Sequence, residues 1–191
     1  MSAAEGGASL APDPAPAASF FRDHQQCLID AGRLGPLADL ACGRGRNALA
    51  AAELGIPTLA LDRSAGFLRE LGASAARRKL EIQCLRSDLE TPHGIPLRAE
   101  SCGSVLVFRF LFRPLCPHIE ALLRPGGWLL YETFTSAQAQ LPSGPSNPAF
   151  LLLNGELPEL FPGLEIHSFE EFSSTGERPE ASARLLARKP E

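Results

Sequence analysis

The chain has 191 residues, 45% of them hydrophobic, and a net charge of −4 at pH 7. A chain of this length can bury one core of its own, and its acidic balance gives no general attraction to nucleic acid or anionic lipid. No apolar run approaches the roughly 20 residues that a bilayer requires, and the N-terminus has neither the basic opening nor the apolar stretch of a signal peptide. We therefore expect a cytoplasmic protein without a membrane partner.

The cysteines and histidines give no sign of a disulfide framework or a metal site. The five cysteines are widely spaced, without a Cys-x-x-Cys pair: Cys27, Cys42, Cys84, Cys102 and Cys116. An odd number of cysteines at such spacing predicts reduced thiols. The four histidines do not stand at ligand spacing from one another or from a cysteine, so we expect no bound metal.

The N-terminal part divides into a tail and a helix. Residues 1–18 are mainly Ala, Gly, Pro and Ser, which offer few apolar anchors, and they predict a disordered tail before a single domain over residues 19–191. Apolar residues at helical spacing from Phe20 to Ala31 predict a short amphipathic helix that ends in the glycine-bearing segment 32–35.

Short apolar runs then alternate with helical patterns. The predicted strands are 37–41, 57–61, 80–85, 103–108 and 128–134, and the predicted helices between them are 47–54, 64–79 and 117–123. A loop over 138–148, a helix over 150–160 and two strands over 164–172 and 181–187, joined by a turn around Gly176, complete the chain. This alternation predicts a doubly wound α/β fold with a mostly parallel sheet, and the last two strands predict an antiparallel hairpin.

A glycine-bearing turn follows the first strand, where residues 38–47 read ADLACGRGRN. Gly43 and Gly45 allow a tight turn and a close approach of the backbone to a ligand. The helix that follows presents unpaired N–H groups and the positive end of its dipole to a carboxylate or phosphate. The turn therefore suits the anionic end of a cofactor, although such a pattern alone also occurs in connections without a ligand.

Carboxylates follow the next two strands. Asp62 ends the second strand, where it could accept hydrogen bonds from both hydroxyls of an adenosine ribose. Asp88 follows the third strand and could accept a hydrogen bond from an adenine amino group. Each aspartate alone could equally cap the helix that follows it. Polar positions at three successive strand ends, however, favour one common ligand site.

At these residues the chain resembles the class I methyltransferases that depend on S-adenosylmethionine (SAM), whose first motif is an acidic residue followed by alternating glycines. Asp39, Ala41, Gly43 and Gly45 occupy the motif positions, with Ala41 in place of the first glycine. The run over 39–48 is especially similar to the tellurite-resistance-type and related small-molecule members. The resemblance covers about residues 20–134, including the segment Leu-Arg-Pro-Gly-Gly before the fifth strand.

The resemblance implies a seven-stranded, Rossmann-like sheet, SAM as the cofactor, and methyl transfer by in-line displacement to a small-molecule acceptor. It leaves tRNA or protein acceptors and the oligomeric state open. By this resemblance the segment 41–45 passes under the methionine part of SAM, Asp62 binds the ribose, and Arg63, Asp88 and Leu89 surround the adenine. The implied cofactor-binding residues are Asp39, Ala41, Cys42, Gly43, Gly45, Arg46, Asn47, Asp62, Arg63, Ser87, Asp88, Leu89 and Phe108.

The segment after the fourth strand carries no conventional catalytic base. The Asn/Asp-Pro-Pro-Tyr/Phe signature of many amino-methylating members is absent, and residues 108–114 read FRFLFRP instead, which disfavours methylation of an adenine or glutamine amide nitrogen. Arg109, Arg113 and Glu132 are the candidate catalytic residues, because charged groups beside apolar strands should lie at the open strand ends. We expect them to form a polar cluster that faces the methyl group, or else structural ion pairs.

Two other functions fit parts of the pattern. The spacing of Gly43, Gly45 and Ala48 also satisfies a dinucleotide-binding motif, so an NAD(P)-binding oxidoreductase is the first alternative. Asp39 inside the first strand, and the lack of a Tyr-x-x-x-Lys pair or a separate substrate domain, weigh against it. The second alternative is a SAM-binding partner subunit without catalytic activity.

Overall fold

A seven-stranded sheet runs through the structure, a computed structural model that describes residues 15–91, 93–175 and 179–191. Its strands are β1 (Leu37–Leu40), β2 (Thr58–Asp62), β3 (Ile82–Arg86), β4 (Cys102–Phe108), β5 (Leu123–Phe134), β6 (Glu165–Ser174) and β7 (Glu180–Arg188). Their order across the sheet is β3-β2-β1-β4-β5-β7-β6. Neighbours from β3 to β5 are parallel, whereas β7 runs antiparallel to both β5 and β6.

This topology confirms the predicted α/β fold with a mostly parallel sheet and an antiparallel C-terminal hairpin. The turn predicted around Gly176 lies outside the described residues. The strand order changes direction between β1 and β4, and in open α/β sheets ligands bind beyond the carboxyl ends of the strands at such a point.

The helices are α1 (Ser19–Asp23), α2 (Gln25–Ala31), α3 (Arg46–Glu53), α4 (Ala65–Arg78), α5 (Cys116–Leu122) and α6 (Glu156–Glu159). They cover both faces of the sheet, as alternate residues of β4 illustrate. Val105 and Val107 lie in a buried cluster with residues of α5 and α6, whereas Leu106 and Phe108 lie in a cluster with residues of α1, α2 and α3. A strand that is apolar on both sides is what a parallel sheet with two covered faces requires.

Two helix predictions need correction. The helix predicted from Phe20 to Ala31 is broken at His24, whose backbone leaves the helical region at φ −117°. The helix predicted over 150–160 is wrong in its first half, because the main chain of Leu152 pairs with the end of β5: its N–H donates to Phe134 O and its carbonyl accepts from Ser136 N. Gly155, at φ +73°, then delays the helix until α6.

The segment before α1 lies against the domain. Residues 1–14 of the predicted tail lie outside the described residues. Ala18 is buried, and its N–H donates to Asn47 Oδ1 over 2.9 Å. This contact brings residues 15–18 to the beginning of α3. Among the described residues, no helix combines the length and apolar character that a membrane span requires.

Candidate active site

Two adjoining pockets lie at the carboxyl ends of β1, β2 and β3. The β2 pocket is lined by Ala41, Asp62, Arg63, Ser64, Phe67, Ser87, Asp88, Leu89, Glu90 and Phe110. The β1 pocket is lined by Ala15, Asp39, Ala41, Cys42, Gly43, Arg44, Arg46, Asn47, Phe108 and Arg109. The pockets meet at Ala41, and all the implied cofactor-binding residues except Gly45 line one or both of them.

The two glycines of the turn after β1, Gly43 and Gly45, are required for different structural reasons. Gly43 has φ +57°, and a Cβ added there would meet no atom within 4 Å, so this glycine provides the turn and leaves its pocket side open. Gly45 has φ +74°, and an added Cβ would lie 2.5 Å from Leu71 Cδ1. Gly45 therefore lets α3 pack closely on α4, which explains why it lines neither pocket.

Ala41 has a left-handed backbone conformation, with φ +53°. This conformation costs a residue with a Cβ roughly 1–2 kcal/mol and is usually left to glycine. It occurs at the motif position where the resembled family has its first glycine. The turn therefore keeps the glycine geometry although the residue is alanine, and the Ala41 methyl lies at the junction of the two pockets.

Asp62 ties the turn to the end of β2. Its Oδ2 accepts from Gly43 N over 2.8 Å, and its Oδ1 accepts from Ser64 N over 2.8 Å. A carboxylate has about four lone-pair positions, so each oxygen keeps capacity for a further donor in the pocket. Asp88 differs, since it is exposed, and the one donor that its side chain binds among the described residues is the Glu90 N–H, 3.0 Å from Oδ1.

Asp39 is buried at 2% exposure within β1 and lines the β1 pocket. Its Oδ2 accepts from Ala48 N over 3.1 Å, and no donor among the described residues reaches its Oδ1. Burial raises the pKa of Asp39 to about 7, although the Ala48 N–H and the charge of Arg46 oppose that rise. A cation placed in this pocket would therefore find a carboxyl group that ionises near neutral pH.

Arg46 begins α3 and lines the same pocket, half-buried. Within the described part of the chain its guanidinium has no hydrogen-bond partner and no ion-pair partner. Burial and the charge of Arg109 lower its pKa. An unpaired, partly desolvated guanidinium at a helix N-terminus fits an anionic ligand group, which it can bind through two parallel N–H donors.

The three candidate catalytic residues do not form one cluster. Arg109 donates from its backbone N–H to Glu132 O over 2.8 Å, and both residues line a charged pocket that also includes Arg46. Their side chains have separate partners: Arg109 Nη2 lies 2.6 Å from Glu180 Oε2, and Arg184 Nε lies 2.6 Å from Glu132 Oε2. The third candidate, Arg113, forms an ion pair with Glu156 and lines neither the β1 pocket nor the β2 pocket.

Arg113 holds the segment that leads into α6. Its guanidinium donates to both carboxylate oxygens of Glu156, and also to Leu151 O over 2.8 Å and Ala149 O over 3.1 Å. The hydrogen bonds from Arg113 lower the pKa of Glu156 and keep it ionised. Arg113 therefore determines where the neighbouring Phe150 lies.

A third pocket, which we call the aromatic pocket, adjoins the other two. It is lined by Arg63, Glu90, Arg109, Phe110, Leu111, Phe134, Pro145 and Phe150. It shares Arg63, Glu90 and Phe110 with the β2 pocket, and Arg109 with the β1 pocket. The sequence pattern missed most of this pocket, because its walls come from five separate parts of the chain. The aromatic run FRFLF after β4 was the available signal.

Other chemistry is not supported by the described residues. Burial raises the pKa of all five cysteines, so they stay protonated and are poor nucleophiles. Between residues 15 and 191, as far as they are described, no group of three or more His, Cys, Asp or Glu side chains is arranged to hold a metal.

Comparison with known proteins gives a family match. A family model described as a methyltransferase domain matches residues 38–131, which run from β1 into β5. The match includes the ends of the first four strands and all the residues that line the β1 and β2 pockets except Ala15. A search of curated proteins finds no match.

Solved structures share the fold. TehB from Haemophilus influenzae matches with a TM-score of 0.69 at 20% identity, over 87% of this chain and 62% of that chain. A SAM-dependent methyltransferase from Methanosarcina mazei has a TM-score of 0.71 at 14% identity, over 92% and 99% of the two chains. A protein studied for the conversion of a disulfide bond into a thioacetal group during echinomycin biosynthesis has a TM-score of 0.70 at 20% identity. The match covers 92% of this chain and 82% of that chain.

Proposed function

We propose that this chain, which belongs to the class I SAM-dependent methyltransferases, transfers the methyl group of SAM to a small molecule held in the aromatic pocket. The observation that carries the proposal is the meeting of three pockets: the β1 and β2 pockets join at Ala41, and the aromatic pocket joins both of them at Arg109 and Phe110. A cofactor divided between the first two pockets would place its reactive centre beside the third.

The β2 pocket suits the adenosine half of SAM. Asp62 would accept the ribose hydroxyls with the lone pairs that Gly43 and Ser64 leave free. Leu89, buried at 4% exposure, offers an apolar surface for the adenine ring, while Ser87 and Asp88 offer polar groups at its edge. Arg63 also lines this pocket. Each of these assignments is part of the proposal.

The β1 pocket suits the methionine half. SAM carries an ammonium and a carboxylate there, and the pocket holds a carboxylate oxygen and a guanidinium that have no partner among the described residues. Asp39 Oδ1 would accept from the ammonium, and Arg46 would donate to the carboxylate. The open side of Gly43 leaves room for the chain between them, with Cys42, Asn47 and Phe108 around it.

Bound SAM supplies an electrophilic methyl group on a sulfonium. The chain contributes position: in-line displacement needs the acceptor atom opposite the carbon–sulfur bond, and good orientation alone is worth on the order of 7–11 kcal/mol in intramolecular reactions. The apolar walls of the aromatic pocket exclude water, which would compete with the acceptor. Tyr131 supports one wall, because its hydroxyl donates to Phe110 O over 3.0 Å.

A small acceptor fits better than a macromolecule. The aromatic pocket is concave, and Pro145 and the partly exposed Phe150 lie along its lining. The segment that carries Phe150 is held by Arg113 through two main-chain carbonyls. Small-molecule sites are typically concave, mostly apolar and already formed in this way.

Calorimetric titration with SAM and, separately, with NADH tests the cofactor assignment. We expect SAM to bind and NADH to give no heat. Arg46→Met should weaken SAM binding by about tenfold, which corresponds to about 1.4 kcal/mol. Arg33→Met is the matched control, because Arg33 is exposed and lines none of the three pockets, so it should change SAM affinity little. Equal losses in the two variants would contradict the role of Arg46.

The acceptor class needs a second experiment. The full chain is incubated with SAM labelled in its methyl group and with three cell fractions: dialysable metabolites, tRNA and protein. Label that appears in the dialysable fraction supports the proposal. Label that appears in tRNA or protein instead would contradict the small-molecule assignment while leaving SAM-dependent transfer intact.

A further inference from the structure

The aromatic pocket combines apolar walls with one arginine that has donors to spare. Phe110, Phe134 and Phe150 provide three rings, and Leu111 and Pro145 complete the apolar lining. Such walls suit a flat, apolar body, since rings pack favourably in offset or edge-to-face contact. The polar recognition element beside these walls is Arg109, which the β1 pocket shares.

The Arg109 guanidinium lies between the aromatic pocket and a carboxylate. Its Cζ lies 5.7 Å from the centroid of the Phe134 ring, and its Nη2 lies 2.6 Å from Glu180 Oε2. No partner among the described residues binds its Nε or Nη1, and about half of the side chain is exposed. The free donors can take a second anion, and a guanidinium binds anions through paired N–H donors.

The backbone of Arg109 is held in an unusual conformation. Its φ is +57°, in the left-handed region that residues with a Cβ seldom adopt. The hydrogen bond from its N–H to Glu132 O and the Tyr131 contact with Phe110 O fix this conformation from both sides. Strain of this kind concentrates at ligand sites, where it directs a side chain that an extended backbone would point elsewhere.

The same pocket offers little help to a nucleophile that must lose a proton. Among its described lining residues, the side chain that could accept a proton is Glu90, which is held in an ion pair with Arg63 Nη1 at 3.1 Å. Alcohols and amines lose a proton when they are methylated, and enzymes usually provide a general base for it. An acceptor atom that is already an anion needs no base.

We propose that the acceptor is an aromatic small molecule whose methylated atom is an anion, a thiolate sulfur or a carboxylate oxygen, and that Arg109 holds that anion in the aromatic pocket. This inference rests on the proposed function. The acceptor releases its proton to solvent before the reaction. Its anionic atom then forms a bond to the methyl carbon while the carbon–sulfur bond of SAM breaks, and the electron pair goes to that sulfur. A neutral methylated acceptor and neutral S-adenosylhomocysteine result.

A panel of acceptors that share a phenyl ring tests the substrate class. The full chain is incubated at pH 7.5 with SAM and thiophenol, benzoate, aniline or benzyl alcohol, and methylated products are measured by mass spectrometry. We expect methylation of thiophenol or benzoate at least tenfold faster than methylation of the two neutral nucleophiles, and the faster of the two anions identifies the acceptor atom.

Faster methylation of aniline or benzyl alcohol would overturn the proposal, as would a protein that binds SAM and methylates none of the four probes. A protein that does not bind SAM in calorimetry would instead contradict the cofactor assignment. The SAM titration therefore separates the failure of this inference from the failure of the proposed function.

Variants of the ion pair test the role of Arg109. Arg109→Asn removes the guanidinium, and asparagine tolerates the left-handed backbone. With the preferred probe we expect the KM to rise at least tenfold. Because Arg109 also lines the β1 pocket, we expect a smaller effect on the cofactor, a rise of less than threefold in the Kd for SAM. Glu180→Gln should lower the KM about threefold, because it frees Arg109 for the probe. Glu170→Gln, which removes an exposed carboxylate from the next strand, should leave the KM unchanged.

A structural role would give a different result. If Arg109→Asn lowers the melting temperature and the SAM affinity but leaves the KM of the probe unchanged, Arg109 supports the fold and does not hold the acceptor. That result would overturn its assignment.

Discussion

The β1 and β2 pockets, which we propose for SAM, are held together by hydrogen bonds that main-chain N–H groups donate to carboxylates. The region beyond β4, which includes the aromatic pocket, depends instead on ion pairs between residues far apart in the sequence. Asp39 and Asp62 bind N–H groups 9, 19 and 2 positions away. On the other side the ion pairs join residues 71, 43 and 52 positions apart: Arg109 with Glu180, Arg113 with Glu156, and Arg184 with Glu132.

This difference explains how one fold can keep its cofactor and change its acceptor. The turns on the cofactor side are built within short strand–turn–helix segments, so their geometry survives changes elsewhere. The acceptor side is assembled from loops and from the C-terminal hairpin, which can vary without disturbing β1 and β2. Substitutions on the two sides should therefore have separable effects.

Asp62→Ala should cause the largest loss on the cofactor side. Two N–H groups lose their acceptor and the ribose loses its partner, and hydrogen bonds to charged groups contribute about 1.5–3 kcal/mol each. We expect SAM affinity to fall about 100-fold in calorimetry, or about 2.8 kcal/mol. Asp88→Ala, which removes an exposed carboxylate with one local hydrogen bond, should lower SAM affinity less than tenfold. Equal losses would contradict the difference between the two aspartates.

The sequence predicted the strands and turns beside the β1 and β2 pockets well because their signals are local. The strand ends that carry Asp39, Asp62 and Asp88 lie where the alternation of strands and helices placed them. A parallel sheet brings successive strand ends to one edge, so no long-range information was needed. The resemblance to SAM-dependent methyltransferases rests on this part of the chain.

The contacts that assemble the proposed acceptor side escaped prediction for the opposite reason. Nothing in the segment 108–114 indicates that Arg109 finds its partner in β7 or that Arg113 finds its partner at α6. The segment 150–155 has helical composition, but its main chain pairs with the end of β5 instead. Tertiary contacts of this kind override local propensity.

Arg113→Met should break the acceptor side alone. It removes donors to two carbonyls and to Glu156, and because the ion pair is partly exposed we expect a loss of about 2 kcal/mol in the free energy of unfolding. SAM affinity should stay within twofold. Arg98→Met is the control. Because Arg98 is exposed, this variant should leave the free energy of unfolding, measured by chemical denaturation, unchanged. A parallel loss of SAM affinity in Arg113→Met would show that the two sides are coupled.

The pH dependence of SAM binding tests Asp39. Its pKa in the folded protein is about 7, and a bound ammonium would favour the ionised form, so binding releases a proton and tightens as pH rises. We expect about tenfold tighter binding at pH 8 than at pH 6, since one proton changes apparent affinity by at most tenfold per pH unit. Asp39→Asn should remove the part of this pH dependence that comes from Asp39. Any pH dependence that comes from the ionisation of SAM itself should remain.

The raised pKa of Asp39 should also make the stability of the protein without SAM depend on pH. Because the pKa of Asp39 is higher in the folded than in the unfolded chain, its contribution to stability is full below about pH 4 and is lost as pH rises through about 7. Denaturation at pH 5 and pH 8 measures this difference, and Asp39→Asn should reduce it. An unchanged difference in the variant would assign the pH dependence to another group.

Ala41→Gly should give the smallest change, and its sign is informative. Glycine relieves a left-handed conformation that costs roughly 1–2 kcal/mol, but it adds about 0.4–1 kcal/mol of unfolded-chain entropy. The net gain in the free energy of unfolding should be about 0.5 kcal/mol. Gly43→Ala is the reverse substitution in the same turn. Because Gly43 has φ +57° and an added Cβ would meet no atom within 4 Å, we expect this variant to lower the free energy of unfolding by a similar amount. If Ala41→Gly stabilises the fold but weakens SAM binding, the methyl group at the junction of the two pockets contacts the cofactor, and the strain at Ala41 is retained for binding. If it stabilises the fold and leaves SAM binding unchanged, the alanine is a tolerated departure from the glycine motif and the turn alone carries its function.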